Sequence, residues 1–288
     1  MGNKILTLSV IIPTFNEEGY IRDCLEAIAC QSDMPDEVIV VDNNSTDRTV
    51  RIARSFDFVK VIHEPKQGLI HARNAGFAAA TGDILGRIDA DSVITTDWVK
   101  RVKETFMDDS IDAISGPGYL TLIPSMKYES LLWTKLYFIG ALAYNRVRVL
   151  WGANMALRDR AWKDIKHLTE QEDSRVHEDQ DVSMCLNLSG YRIAYDKNLI
   201  IRTDATRFWD ISKLFLYYNK SVLTNIRMNR LQEERGLCVT RDVSLISAVG
   251  YLFLCYPSMF VFLSLAALYG MCKKIQTTAR LVVSKQEF

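Results

Sequence analysis

Apolar positions follow two rhythms along the first two hundred residues. Short, mostly apolar runs occur at Leu6 to Ile12, Glu37 to Val41, Val59 to Ile62 and Ile84 to Ile88. They read as strands, the first, rich in β-branched residues, buried on both faces as in a parallel sheet and the second buried likewise. Between them apolar residues recur at helical spacing. Ile21, Leu25 and Ile28 predict a helix to about Cys30, Gly68 to Ala80 predicts another with Gly82 as its C′ residue, and Asp97 to Phe106 predicts a third with Val99, Val102 and Phe106 inward. Pro13 is expected to stop the first strand, Glu17 and Glu18 to occupy the first turn of the helix after it, and Ser45 or Thr46 to cap a helix from Arg48 to Ser55. Strand–helix alternation with short connections predicts an α/β fold: a mostly parallel sheet flanked by helices.

The second half is less regular. Ile111 to Ser115 predicts a strand turned by Gly116-Pro117-Gly118, and Val147 to Trp151 another. Lys127 to Tyr144 predicts a helix heavy in aromatics, a core helix by default and a sugar or lipid platform as the alternative. Leu168 to Val176 is polar and reads as a loop; it leads into His177-Glu178-Asp179-Gln180-Asp181 and a helix closed by Gly190. Tyr191 to Tyr195 adds a strand. Phe208 to about Met228 is a helix mixing aromatics and bases, suited either to a membrane headgroup zone or to packing on the domain. From Val243 to Cys272 no residue is charged, about 30 positions against the ~20 that span a bilayer. This predicts a transmembrane or membrane-inserted helical segment, either one span kinked at Pro257 or two short halves.

Composition narrows the options. Lys+Arg and Asp+Glu both number 35, so no global field favours nucleic acid. None of the six cysteines forms a Cys-x-x-Cys pair; Cys24, Cys30 and Cys185 fall on helices as core-facing, reduced thiols. No Gly-x-Gly-x-x-Gly follows the first strand and no Gly-Lys-Ser/Thr loop exists, which argues against dinucleotide oxidoreductases and P-loop enzymes.

Two acidic clusters carry the chemistry. Asp89-Ala90-Asp91 ends an apolar run; on an extended chain both carboxylates face one way and suit a divalent cation that also holds phosphate. Glu178, Asp179 and Asp181 with His177 are more acid than capping a helix requires.

Five stretches in this order resemble glycosyltransferase family 2: Val10-Ile11-Ile12-Pro13-Thr14-Phe15-Asn16-Glu17, Val40-Val41-Asp42-Asn43-Asn44-Ser45-Thr46-Asp47, Gly68-Leu69-Ile70-His71-Ala72-Arg73-Asn74-Ala75-Gly76, Asp89-Ala90-Asp91 and His177-Glu178-Asp179. The resemblance implies a GT-A fold and an inverting transfer of sugar from a nucleoside-diphosphate sugar, more often UDP- than GDP-linked, to an acceptor hydroxyl. It implies Pro13, Thr14, Phe15, Glu17, Asp42, Arg73 and Asp89 on the donor, Asp91 on Mg²⁺ or Mn²⁺, and Asp179 as general base. Gly152, Asn154 and Glu178 would serve the sugar or acceptor, Glu178 by supporting Asp179. The Gln-x-x-Arg-Trp of polymer-forming members is missing; the region reads Thr203-Asp204-Ala205-Thr206-Arg207-Phe208-Trp209, so one transfer per encounter is expected.

The expected organisation is a catalytic domain over 1–205, an amphipathic membrane-proximal region over 206–242, a transmembrane segment over 243–272 and a basic tail over 273–288. The expected location is the cell membrane with the catalytic domain facing the cytoplasm, and the expected acceptor lies at the membrane, a lipid-linked one included. A binding protein that keeps the nucleotide-sugar and has lost the chemistry is the main alternative. A nucleotidyltransferase is the other, disfavoured by the missing basic Gly-rich loop.

Overall fold

The structure is a computed structural model that describes residues 5–120, 127–145, 147–204 and 211–235. The transmembrane segment expected at 243–272 and the tail at 273–288 lie outside the described residues. Among the described residues no helix is long and apolar enough to cross a membrane.

The expected α/β sheet is present. Strands β1 (Leu8–Thr14), β2 (Glu37–Asp42), β3 (Val59–His63), β4 (Ile84–Ile88), β6 (Ala113–Ser115), β8 (Asn154–Arg158) and β9 (Ile193–Tyr195) form one sheet in the order β3-β2-β1-β4-β8-β6-β9. All neighbours pair in parallel except β8, antiparallel to both β4 and β6. A smaller sheet, β5 (Ser92–Ile94), β10 (Ile201–Thr203) and β7 (Gly118–Leu120), stands beside it.

Strand alternation divides the core. Leu8, Val10 and Ile12 face the helices α1 (Ile21–Ala29) and α4 (Trp98–Thr105), packing on Leu25, Ile28, Trp98 and Val102. Ile11, Ile39 and Val41 face the other way, toward α3 (Leu69–Ala79), α6 (Asp159–Ile165), α7 (Glu178–Leu188) and α8 (Ile211–Glu234). Three layers result, with apolar strands buried on both sides. The helix α8 packs on the domain: Met228 joins the core and Arg227 pairs with Asp181. The short helix α2 (Thr49–Ala53) and the long α5 (Lys127–Asn145) complete the set.

Several local expectations are corrected. The strand β1 runs through Pro13, which lies opposite Val41, because pairing to β4 ends at Ile11 and little is lost where an N–H is missing beyond it. Helix α1 starts at Ile21, so Glu17 and Glu18 lie in the loop before it. Neither Ser45 nor Thr46 caps α2; Asp47 Oδ1 accepts the Thr49 N–H at 2.9 Å instead. Helix α3 ends on an extended Ala80, so Gly82 is no C′ residue, whereas Gly190 closes α7 with a φ of 80°. Residues 147–151 are no strand; β8 begins at Asn154 after a turn at Trp151. Cys30 is exposed, while Cys24 and Cys185 are buried as expected, all three free thiols.

Candidate active site

The chain runs outward from β1 to β3 and then returns to β4 on the other side of β1, so the sheet reverses direction between β1 and β4. Such a switch leaves a crevice outside the carboxyl ends of the strands. The loops that follow β1, β2 and β4 carry the expected donor residues, and the turn before the antiparallel β8 opens at the same edge.

The end expected to take the nucleotide is two loops bonded to each other. The Asn43 N–H donates to the Thr14 carbonyl at 2.9 Å, the Asn16 N–H to Ser45 Oγ at 3.1 Å, and the Glu17 N–H to Thr49 Oγ1 at 2.8 Å. Asn16 and Asn44 adopt left-handed φ of 54° and 69°, which lets the chain turn sharply beyond each strand. Phe15 remains 47% exposed. Asp42 is buried at the tip of β2, accepting the Ser45 N–H at 3.0 Å with its other oxygen 3.3 Å from His63 Nδ1. Thr14 donates its hydroxyl to the Ile12 carbonyl, and Pro13 is locked in the ladder.

Asp89 and Asp91 do not lie on an extended strand. The Ser92 N–H closes a turn on the Asp89 carbonyl at 3.0 Å, because Ser92 already pairs with Thr203 at the start of β5. The two acids are therefore held separately: Asp89 Oδ1 by Arg87 Nη2 at 2.8 Å, and Asp91 Oδ1 by the Thr203 hydroxyl at 3.1 Å. Both stay partly exposed.

Arg87 joins the two acidic clusters. Its guanidinium is buried inside β4, with Nη2 on Asp89 and Nη1 on Glu178. Glu178 opens α7 and accepts from Arg73 Nη1 at 2.9 Å on its other oxygen. Arg73 is fully buried, stacked 5.2 Å over Trp162 and bonded to Asn74. One carboxylate thus separates two buried guanidinium groups. Burial alone pushes the Glu178 carboxyl up, but Arg87 and Arg73 more than offset it and hold the group below its ordinary 4.5.

Asp179 follows Glu178 and stays partly exposed. Its carboxylate accepts the Gly152 N–H at 3.0 Å and the Gln180 N–H at 2.7 Å. Burial of the carboxyl, and next the charge of Glu178, push it above the ordinary 3.8, against the pull of His177, the Gly152 N–H and Arg87. Gly152 must be small: a Cβ there would lie 2.8 Å from Glu178 Oε1 and overlap the Arg87 guanidinium.

Two expected roles change with the geometry, and the support expected of Glu178 for Asp179 takes a defined form. Asn154 lines no open site: it is 0% exposed, bonded to Trp98 Nε1 at 2.8 Å and to the Leu199 carbonyl at 2.7 Å, and ties the large sheet to the small one. Arg73 faces Glu178 and Trp162, so it can act on a ligand only through Glu178. Glu178 spends both oxygens on arginines, a supporting role beside Asp179. Arg87 and Thr203 carry the site without having been expected there. An arginine inside an otherwise apolar strand was the available signal for the first, since a buried cation requires an anion. For Thr203 no local signal exists; pairing of β10 with β5 brings it to Asp91.

Among the described residues no group of three or more His, Cys, Asp or Glu could by itself hold a metal. Two partly open carboxylates on a turn still fit Mg²⁺ or Mn²⁺, which are commonly held by one or two carboxylates together with substrate phosphates.

The model of the family described as "Glycosyl transferase family 2" matches residues 9–165, more than half of the chain, from the second residue of β1 to the end of α6. The chain belongs to glycosyl transferase family 2. Among relatives of this family member, the uncharacterized glycosyltransferase EpsJ of Bacillus subtilis is 28% identical over 199 residues, covering 65% of this chain and 56% of EpsJ. The chain therefore spans little more than half the length of that relative. Two solved structures share the GT-A-like fold. Mannosyltransferase PcManGT from Pyrobaculum calidifontis, in complex with GDP-Man and Mn²⁺, superposes with a TM-score of 0.63 at 21% identity, covering 91% of this chain and 80% of that one. Residues 1–349 of S. aureus TarS, in complex with UDP-GlcNAc, give a TM-score of 0.58 at 21% identity, with coverage of 89% and 73%.

Proposed function

We propose that this family 2 member is an inverting glycosyltransferase that moves one sugar from a nucleoside-diphosphate sugar to an acceptor hydroxyl at a membrane. The observation that carries the reading is the Asp89–Arg87–Glu178 bridge, which ties the acids after β4 to the helix bearing Asp179. A donor bound over β1, β2 and β4 would direct its nucleotide toward Phe15, Glu17 and Asp42 and its sugar toward Gly152. Asp179 takes the acceptor proton, the acceptor oxygen bonds to the anomeric carbon, and the bond from that carbon to the diphosphate oxygen breaks. A neutral hydroxyl is a weak nucleophile, so a positioned base with a raised pKa is what the step requires. Asp91, with support from Asp89, would hold a divalent metal, which offsets charge on the departing diphosphate when bound. PcManGT in complex with GDP-Man and Mn²⁺, and TarS in complex with UDP-GlcNAc, support this donor class and leave both bases open. The uncharged stretch Val243–Cys272 supports a membrane location and a lipid-linked acceptor among the candidates. The cysteines, without a Cys-x-x-Cys pair, favour the domain on the reducing, cytoplasmic side.

The test is a panel of UDP- and GDP-sugars with Mg²⁺ or Mn²⁺, reading transfer or slow hydrolysis. Asp179→Asn should retain donor binding and lose about 10²–10⁴-fold in turnover. Asp91→Ala should lose metal-dependent donor binding by calorimetry. Wild-type-like turnover of the first variant would remove Asp179 as base. Metal-dependent donor binding with no turnover of any donor by the native chain would favour the inactive binding protein.

A further inference from the structure

Helix α5 has one face inside the protein and one outside. Inside, Thr134 donates its hydroxyl to the Gly118 carbonyl at 2.7 Å, and Phe138 packs on Tyr195 with ring centroids 4.9 Å apart. Phe138, Ala141 and Val149 form a small cluster against Trp151. Outside, Tyr128, Leu132, Leu136, Ile139 and Leu142 follow each other at steps of four or three residues, so they share one stripe. Each is between 39% and 79% exposed. A contiguous apolar stripe of this kind marks a contact surface rather than ordinary surface scatter.

Its chemistry selects the partner. Lys135 lies along the stripe between Leu132 and Leu136, and α5 holds a single acidic residue, Glu129, near its start. A lysine in the middle of an apolar face is disfavoured at the core of a protein–protein interface. It suits a helix lying in a lipid headgroup layer, where the aliphatic stem covers apolar surface and the ammonium reaches an anionic headgroup. The same chain carries the uncharged stretch Val243–Cys272, an independent reason to be at a bilayer. The stripe is also placed for use. Trp151, packed on the inner face of α5, precedes Gly152, whose N–H binds Asp179.

We propose that the outer face of α5, from Tyr128 to Leu142 with Lys135, is the surface on which the domain lies on an anionic lipid bilayer, with the Asp179 side of the site turned toward it. This rests on the membrane part of the reading above and adds which face of the domain meets the lipid. The full chain is reconstituted in vesicles of phosphatidylcholine with phosphatidylglycerol. Photoreactive p-benzoylphenylalanine replaces Leu136, Ile139 or, as a control, the exposed Arg51 of α2, one at a time. On illumination, lipid adducts are expected at positions 136 and 139 and not at 51. Adducts to a second copy, to residues 236–288, equal labelling at 51, or no lipid adduct at 136 and 139 would each overturn the proposal. The readout needs neither donor nor turnover, so it fails independently of the transferase reading. Vesicle flotation of the unmodified chain separates the remaining cases. A chain that floats without labelling at 136 and 139 sinks the α5 proposal alone, and one that does not float sinks the membrane location with it.

Discussion

Gly152 sets the geometry around Asp179 by what it lacks. The Arg87–Glu178 pair packs against its Cα while its N–H holds Asp179, so one residue touches both halves of the acid cluster at the start of α7. Gly152→Ala should force the guanidinium or the Glu178 carboxylate aside, an overpacking that costs about 1–3 kcal/mol. A lower Tm together with a turnover loss larger than any change in donor affinity is the expected pattern. Thermal melts and steady-state kinetics check it; unchanged kinetics would mean the pair relaxes without moving Asp179. At this scale the sequence was informative about residue type and silent about partner. Asp179 stood out by its neighbours, and Gly152 by its place just after the strand expected at Val147 to Trp151. Asn154 was misjudged because nothing local reveals that its amide meets Trp98 and Leu199.

Among the elements, α3 is capped from far away. Its N-cap is Gly68, at a φ of 142°, with no side chain to offer. The orphan N–H groups of Leu69 and Ile70 donate instead to Asp173, which sits in the polar segment before α7. Lys66 and Glu172, 3.7 Å apart, and Asn74 with Gln171, 3.0 Å apart, fasten the same segment to α3 and the loop before it. Asp173→Ala should cost about 1 kcal/mol, the usual loss for a cap. Amide hydrogen exchange should speed up at Leu69 and Ile70 and in the residues before Glu178; unaltered exchange there would count against the cap. The sequence showed a polar loop at this place. It could not show the cap, because donor and acceptor lie 104 residues apart.

For the molecule as a whole, the paired acids of α7 pull stability in opposite directions with pH. The pKa of Glu178 is depressed in the fold, so its contribution is present above its ordinary 4.5 and is lost as pH falls through the folded value. Its protonation leaves Arg73 and Arg87 buried with weakened partners, and removing one member of such a pair costs about 3–5 kcal/mol. Asp179 is the reverse: its raised pKa makes the ionised form a cost to folding at neutral pH, a cost that disappears as it protonates. Glu178→Gln should therefore destabilise the protein at pH 7, with the deficit shrinking in acid. Asp179→Asn should raise Tm at pH 7, with the gain vanishing below about pH 3.8, the ordinary value for this group. Denaturant melts of both variants across pH 3–7 check the two signs, and parallel pH profiles would refute the assignment of opposite shifts.

The sequence by itself determined the layered α/β architecture, since β-branched runs and helical spacing each admit few arrangements, and it determined the family, through motifs spread over β1 to α7. It also marked the acids, because carboxylates at strand ends are chemically conspicuous. Tertiary structure alone decided which acids meet, what holds them and how they ionise. Those outcomes depend on the antiparallel insertion of β8, on the pairing of β10 with β5, and on two arginines closing over Glu178. Each is a contact between segments far apart in the chain, and no local pattern encodes the separation or burial that sets its strength.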